Sequence, residues 1–287
     1  MNYSLTQLSN LVDILSTPTH FAQEDLLAEK IMNKLSGKDL VITRDTVGNI
    51  YIQKGNLNLD FYYPCVVAHM DTVHHITDFN VHIENNCLYA LSPDGRKVGI
   101  GGDDKAGVFV CLELLDKLEY LKVAFFVGEE YGCYGSRLAD SEFFKNVGYV
   151  IEFDAPEHNW ISHKSNKIEL FDKNGYFFNI IKPILEKTMG ELVLSSHPYT
   201  DVCALKTQFD ISCINLSVGY FNMHSTIEHV NIDICMNAIT MGEEMINALG
   251  NTKYKYDHPI EPFHLFNNPN KGLLEAKFLQ LKKEKSW

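Results

Sequence analysis

A chain of 287 residues, 45% of them hydrophobic and 22% charged, has the make-up of an ordinary globular protein long enough to bury a sizeable core. Its net charge of -12 argues against non-specific nucleic-acid binding, which needs a basic face against the phosphate backbone. No stretch approaches the roughly 20 apolar residues of a membrane span, and Met1 to Thr19 carries neither a basic residue nor a long apolar run, so no signal peptide is expected.

From the amino terminus, Leu5, Leu8, Leu11, Val12 and Leu15 predict an amphipathic helix that ends before Pro18. A second helix is predicted from near Pro18 through Leu26, Leu27, Ile31 and Leu35, with Gln23, Glu24 and Asp25 in its first turns. Four continuous apolar runs follow: Cys65 to Ala68, Val123 to Val127, Val147 to Phe153 and Ile211 to Leu216. Runs of this kind suit strands buried on both faces. Between and after them lie helical patterns over Ala106 to Leu118, Ser136 to Phe144, Tyr176 to Met189 and Ile232 to Leu249, the last stopped by Gly250. The alternation predicts an α/β fold, a three-layer α/β/α sandwich, and nothing resembling a linker divides it, so 1–287 reads as a single domain. The tail from Asn251 is polar and aromatic, then helical near Leu273 to Lys283, and has no assigned role. Seven cysteines without a Cys-x-x-Cys pair read as reduced thiols of a cytoplasmic protein.

Each of the four buried runs leads towards a chemically useful side chain. They reach His69-Met-Asp71, Glu129-Glu130, Asp154, and Gly219 with His224 just beyond. In open α/β sheets ligands bind beyond the carboxyl ends of the strands, so these groups are expected on one rim. The i, i+2 spacing of His69 and Asp71 lets the imidazole bind a metal while the carboxylate accepts its other N–H. A surface His and Asp after a strand is the plain alternative. Gly101-Gly-Asp-Asp-Lys-Ala-Gly107 lacks the order of a phosphate loop and the alternation of a calcium loop, which leaves metal binding or simple helix capping. Neighbouring Glu129 and Glu130 can divide two jobs, ligand and base, or form a solvated pair. His224-Ser-Thr-Ile-Glu228-His229 is not the His-Glu-x-x-His helix of single-zinc proteases.

Taken in order, Asp45-Thr-Val-Gly-Asn49, Ala68-His-Met-Asp-Thr72, Gly102-Asp-Asp-Lys-Ala-Gly107, Gly128-Glu-Glu-Tyr-Gly132, Phe153-Asp154, Thr200-Asp201 and Gly219-Tyr-Phe-Asn-Met-His224 resemble the co-catalytic zinc exopeptidases, and among them the peptidase T tripeptidases. The resemblance implies the zinc-dependent exopeptidase (phosphorylase/hydrolase-like) fold with a mixed, mostly parallel sheet, and an enzyme that cleaves short peptides. It implies two divalent metal ions, zinc first, with cobalt or manganese accepting the same donors. Asp103 would bridge them ahead of a cis peptide to Asp104. One ion would add His69 and Asp154, the other Glu130 and His224. Glu129 would be the general base towards a metal-bound water, and Asp71 the partner of His69. Thr200, Asp201 and Tyr220 would lie near the substrate.

Two departures stand out. Only about 70 residues separate Asp154 from His224, too few for the lid or dimerisation domain that peptidase T inserts there. His197 stands where the family carries an arginine for the substrate's terminal carboxylate, and imidazole cannot copy a planar guanidinium fork. The reading is therefore an aminopeptidase or a di- or tripeptidase acting on short peptides. A deacylase of N-acyl amino acids on the same metal core, and a non-catalytic binding module of the same fold, stay open beside it.

Overall fold

The computed structural model describes residues 3–55, 61–255 and 271–285. Helices α1 (Leu5–Leu15) and α2 (Asp25–Leu35) precede the hairpin β1 (Val41–Arg44) and β2 (Ile50–Lys54), then β3 (Tyr63–His69). Short strands β4 (Asn80–Glu84), β5 (Cys87–Leu91) and β6 (Lys97–Val98) lead to α3 (Gly102–Lys117) and β7 (Leu121–Phe126). Next come α4 (Tyr134–Arg137), α5 (Ser141–Phe144), β8 (Val147–Ala155), β9 (Trp160–Ser165), β10 (Ile168–Glu169), α6 (Tyr176–Met189), β11 (Val193–His197) and α7 (Asp201–Phe209). The chain continues with β12 (Ser212–Ser217), β13 (Tyr220–Phe221), β14 (His229–Asn231), α8 (Ile232–Leu249) and α9 (Lys271–Lys285).

The main sheet runs in the order β1-β2-β7-β3-β8-β12-β9-β10, with β11 paired to β9. Its centre is parallel, since β7, β3, β8 and β12 run side by side in one direction, while β2 and β9 flank that centre antiparallel. The four central strands are the four apolar runs of the sequence. All of β3, β7, β8 and β12 are buried along their whole length, as strands covered on both faces must be. Helices α3 and α8 pack together, with α3 on β3 and β8, whereas α7 packs on β3, β8 and β12 and touches α4. This is the expected three-layer sandwich with a mixed, mostly parallel sheet.

Three details differ from the sequence reading. The second helix starts at Asp25 rather than near Pro18, because Thr19 is claimed by tertiary hydrogen bonds. Its hydroxyl donates to the Met70 carbonyl at 2.7 Å and its own carbonyl accepts from Thr72 Oγ1 at 2.6 Å. The predicted helix from Ser136 to Phe144 is split into α4 and α5, with Asp140 accepting from Glu142 N as a fresh amino-terminal cap. A second, antiparallel sheet (β13-β14-β5-β4, with β6 on β5) was not predicted, because its strands are two to five residues long and mostly half exposed.

The predicted tail helix is α9; residues 256–270 ahead of it lie outside the described residues. Helix α9 docks behind the loop that follows β7. Phe278 is fully buried, with its ring 5.0 Å from Tyr134 and 5.7 Å from Phe21. A Cβ on Gly128 would lie 2.8 Å from the Phe278 ring, and Gly128 has φ +66°, so glycine is needed there both for space and for backbone conformation. Lys282 Nζ forms an ion pair with the buried Glu24 carboxylate at 3.0 Å, and Glu275 accepts from Thr46 Oγ1 at 2.7 Å. The tail is therefore a wedge beneath Gly128-Glu129-Glu130. Replacing Phe278 with Ala removes the wedge and leaves a cavity. Urea denaturation should show a loss of about 3–5 kcal/mol; an unchanged midpoint and slope would mean that α9 is not docked in solution.

Candidate metal centre

The parallel arrangement of β7, β3, β8 and β12 brings their carboxyl ends to one rim. His69 is the last residue of β3, Glu129 and Glu130 follow β7 by three and four residues, and Asp154 lies near the end of β8. His224 follows β13 on a tight loop in which Asn222 and His224 both have positive φ, as does Gly219 just before the strand. A left-handed histidine is uncommon and holds its ring in an imposed direction. Asp103 enters from the start of α3, joined to Asp104 by a cis peptide bond.

Asp103 stands between the two imidazoles. Its Oδ1 lies 3.1 Å from His69 Nε2, and its Oδ2 lies 3.2 Å from His224 Nε2. On the His69 side, Asp154 Oδ1 comes within 3.6 Å of Nε2; on the His224 side, Glu130 Oε1 comes within 3.0 Å. The five side chains predicted as ligands are thus brought together as two halves sharing one carboxylate. Glu129 stands next to them, its Oε2 4.0 Å from His69 Nε2. One atom each of His69, Asp103 and Glu130 lie within 4.8 Å of one another, and so do atoms of His69, Asp104 and Asp154. Asp104 is the weaker member of that second trio. Its Oδ2 accepts the His69 backbone N–H at 3.2 Å and its Oδ1 accepts Gly107 N–H at 3.1 Å, so both oxygens are already committed.

Burial works against a charged Asp103, yet hydrogen bonds from His224 and His69 hold it well below the ordinary carboxylate range, while the acids around it move the other way. Burial pushes Glu129 and Asp154 up from the ordinary carboxylate range, helped by neighbouring carboxylates, and burial raises Glu130 to about 7. Burial works against a charged His69, yet hydrogen bonds to Asp103, Asp154 and Asp71 outweigh it and hold the ring well above its usual value. His224 is pushed to about 11 by its hydrogen bonds to Asp103 and Glu130. Carboxylates that resist ionising and imidazoles that hold protons say the same thing: this site is short of positive charge. Divalent cations match that deficit, and the donor set of imidazole nitrogen and carboxylate oxygen is one that zinc, manganese and cobalt accept. The residues present fit such ions.

Asp71 is placed differently from the expectation. His69 Nδ1 donates to the Asp71 backbone carbonyl at 3.0 Å, and the Asp71 carboxylate is farther, at 3.5 Å. A carbonyl can only accept, so Nδ1 carries the proton and Nε2 faces Asp103 and Asp154. The carboxylate instead accepts the backbone N–H groups of Glu129 and Glu130, at 3.0 and 3.2 Å. The cause is local: β3 stops at His69, so the two-residue strand alternation does not extend to Asp71.

The predicted substrate residues divide. His197 lines the cleft in front of the cluster, with Nδ1 donating to Tyr199 O at 3.3 Å. Thr200, Asp201 and Tyr220 are fully buried, and none of the three is among the residues lining the cleft. Thr200 Oγ1 donates to Glu152, Ser136 Oγ donates to Asp201 at 2.5 Å, and Tyr220 donates to Asp154 Oδ1 at 3.2 Å. Tyr220 thus braces Asp154, while Thr200 and Asp201 are engaged with Glu152 and Ser136 in the core behind the cleft. Their sequence positions gave no warning, since strand ends and helix starts look alike whether they face the cleft or the core.

Sequence reasoning missed Glu228, Asn215 and Arg137. Glu228 is buried and accepts Gly101 N–H at 2.9 Å, Asp103 N–H at 3.1 Å and His74 Nε2 at 2.6 Å. Asn215 grips Asp154 twice, accepting its N–H and donating to its carbonyl, both at 2.8 Å. Arg137 lines the cleft. An acid four residues after His224 and an asparagine inside an otherwise apolar strand were the available signals.

No protein-family model matches this sequence, and no curated protein does. The structure, in contrast, is similar to an aminopeptidase PepT of Bacillus cereus, with a TM-score of 0.72 at 14% identity, covering 85% of this chain and 98% of that one. A tripeptidase of Staphylococcus aureus gives 0.67 at 14% identity, covering 84% and 96%. An aminopeptidase of the archaeon Desulfurococcus kamchatkensis gives 0.61 at 16% identity, covering 85% and 98%. At such identities the likeness establishes the architecture. The chain has the fold of these peptidases.

Proposed function

We propose that this chain is a two-metal exopeptidase that hydrolyses short peptides, as an aminopeptidase or a di- or tripeptidase formed by one catalytic unit without an inserted lid. The observation that carries the proposal is Asp103, whose two oxygens face two separate imidazoles, each accompanied by one further carboxylate. His69, Asp154 and Asp103 would hold one ion; His224, Glu130 and Asp103 would hold the other. Two divalent ions, zinc by preference, would supply Lewis acidity for a carbonyl and lower the pKa of water.

The remaining chemistry belongs to the chain. Glu129 has its backbone fixed by Asp71, lies beside the proposed ligands, and among the described residues its carboxylate accepts one weak hydrogen bond, from Cys133 Sγ at 3.5 Å. Burial raises its proton affinity, which suits a group that takes a proton from water and returns it to the leaving amine. Without that return the amine would depart as a poorly stabilised anion. Seven free cysteines and the acidic surface fit work in the cytoplasm, and among the described residues no helix is long and apolar enough to cross a membrane.

Assays of unblocked and N-acylated di- and tripeptides, with zinc, cobalt or manganese added, test the reading directly: unblocked peptides should be cleaved, and activity confined to N-acyl amino acids would replace it with deacylation. Glu129→Gln should retain both metals while kcat falls roughly 10²–10⁴-fold; normal turnover would remove Glu129 from the role of base. His224→Ala should lower the metal content measured by atomic emission from two ions per chain towards one, and full occupancy would show that His224 is no ligand. Glu228→Ala frees the Asp103 backbone and should weaken metal binding roughly 10–100-fold with the circular dichroism spectrum unchanged. Unaltered affinity there would mean that Asp103 is held by other means.

A further inference from the structure

The cleft in front of the cluster has a volume of about 620 Å³, in the range that holds a small ligand. Its floor is acidic: Asp103, Glu129, Glu130 and Asp154. One guanidinium shares that wall, Arg137, the last residue of α4. Among the described residues it makes no ion pair and its side chain makes no hydrogen bond, and its Nε is buried without a partner. Burying such a donor unmet is unfavourable, and a guanidinium beside so many carboxylates would be expected to find one. The nearby carboxylates are engaged elsewhere. Asp103 and Glu130 face His224, and Asp154 accepts from Tyr220.

Nor is Arg137 free to wander. The Gly132 and Cys133 N–H groups donate to Glu129 O, and Tyr134 N–H donates to Gly128 O, so α4 is tied to the loop carrying the proposed base. The Arg137 Cζ sits 5.9 Å from the centroid of the Tyr134 ring, and that ring stacks on Phe278. Contact over a ring face leaves the hydrogen-bonding edge of a guanidinium open.

Resting on the peptidase reading, we infer that Arg137 is a specificity-determining residue that binds a carboxylate of the substrate. A planar fork of N–H donors matches a carboxylate with two parallel bonds, a match that His197 of the same cleft cannot make. The carboxylate could be a peptide's free carboxyl terminus or an acidic side chain, and the two are separable.

Two matched pairs of peptides distinguish them: Ala-Ala-Ala as free acid against its amide, and Ala-Glu-Ala amide against Ala-Gln-Ala amide. Binding is measured by calorimetry on the full-length, zinc-loaded Glu129→Gln protein, with and without Arg137→Met or Arg137→Lys, and kcat and KM are measured on the Arg137 variants alone. The carboxylate member of one pair should bind roughly tenfold or more tightly. Arg137→Met should abolish that ratio, raising KM with little change in kcat, and Arg137→Lys should restore only part of it. Equal binding within both pairs, no binding at all, or a preference that survives Arg137→Met in a protein melting like its parent overturns the inference. A carboxylate preference that vanishes in Arg137→Met, in a chain that cleaves none of the unblocked peptides, would instead sink the peptidase reading and leave Arg137 as the reader of a carboxylate ligand.

Discussion

Everything at the rim depends on one constraint: several carboxylates are buried side by side, and among the described residues His69 and His224 are the imidazoles in direct contact with them. Asp71, Asp103, Asp104, Glu129, Glu152, Asp154 and Asp201 are all buried. Like charges in a poorly solvated region repel strongly, so the chain must hold each of them by other bonds or by bound cations. The direction in which their proton affinities are pushed records that pressure. Burial raises Asp201 to about 7, and it raises Glu152 well above the ordinary range.

Two sets of polar side chains around the cluster do opposite work. One group faces inward to the imidazoles: Asp103, Glu130 and Asp154. The other faces the backbone of the first. Asp104 holds the N–H of His69, Glu228 holds that of Asp103, Asp71 holds those of Glu129 and Glu130, and Asn215 holds that of Asp154. Four of the five proposed ligands are thus fixed at their own peptide nitrogen by a side chain. Side-chain rotation alone can then adjust the inner group, while the backbone that carries it cannot drift. His224 is the exception, held by the positive φ of its loop rather than by a bond to its N–H.

This division explains what could be read from sequence. The four central strands were legible because burial on both faces leaves an unbroken apolar run. His69, Glu130, Asp154 and His224 were legible because each follows such a run, and Asp103, which opens α3 instead, because the ordered motifs resemble a known family. The outer group was not, since an acid that accepts a backbone N–H carries no periodic signature. Asp71 shows the difficulty well: its spacing from His69 suggested one contact, and the end of β3 at His69 produced another. Thr200 and Asp201, at the start of α7, are turned to the core, which their place in the sequence does not reveal. The small sheet escaped notice because its strands are too short and too exposed for alternation to emerge.

The two halves of the centre also differ in access, and that difference gives the cleft its direction. The His69 side chain is 1% exposed and the His224 side chain 45% exposed, so the first half is closed and the second opens to solvent. Tyr131, Tyr199 and Met223 border the opening, each more than a third exposed. On the proposed reading, a substrate would enter over apolar side chains on the His224 side and displace water from the cleft that Glu129 and Arg137 line. Removing water there strengthens every charge interaction at the rim. In this geometry the small number of cationic side chains facing the cleft, and not the shape of its mouth, would decide which peptides are held.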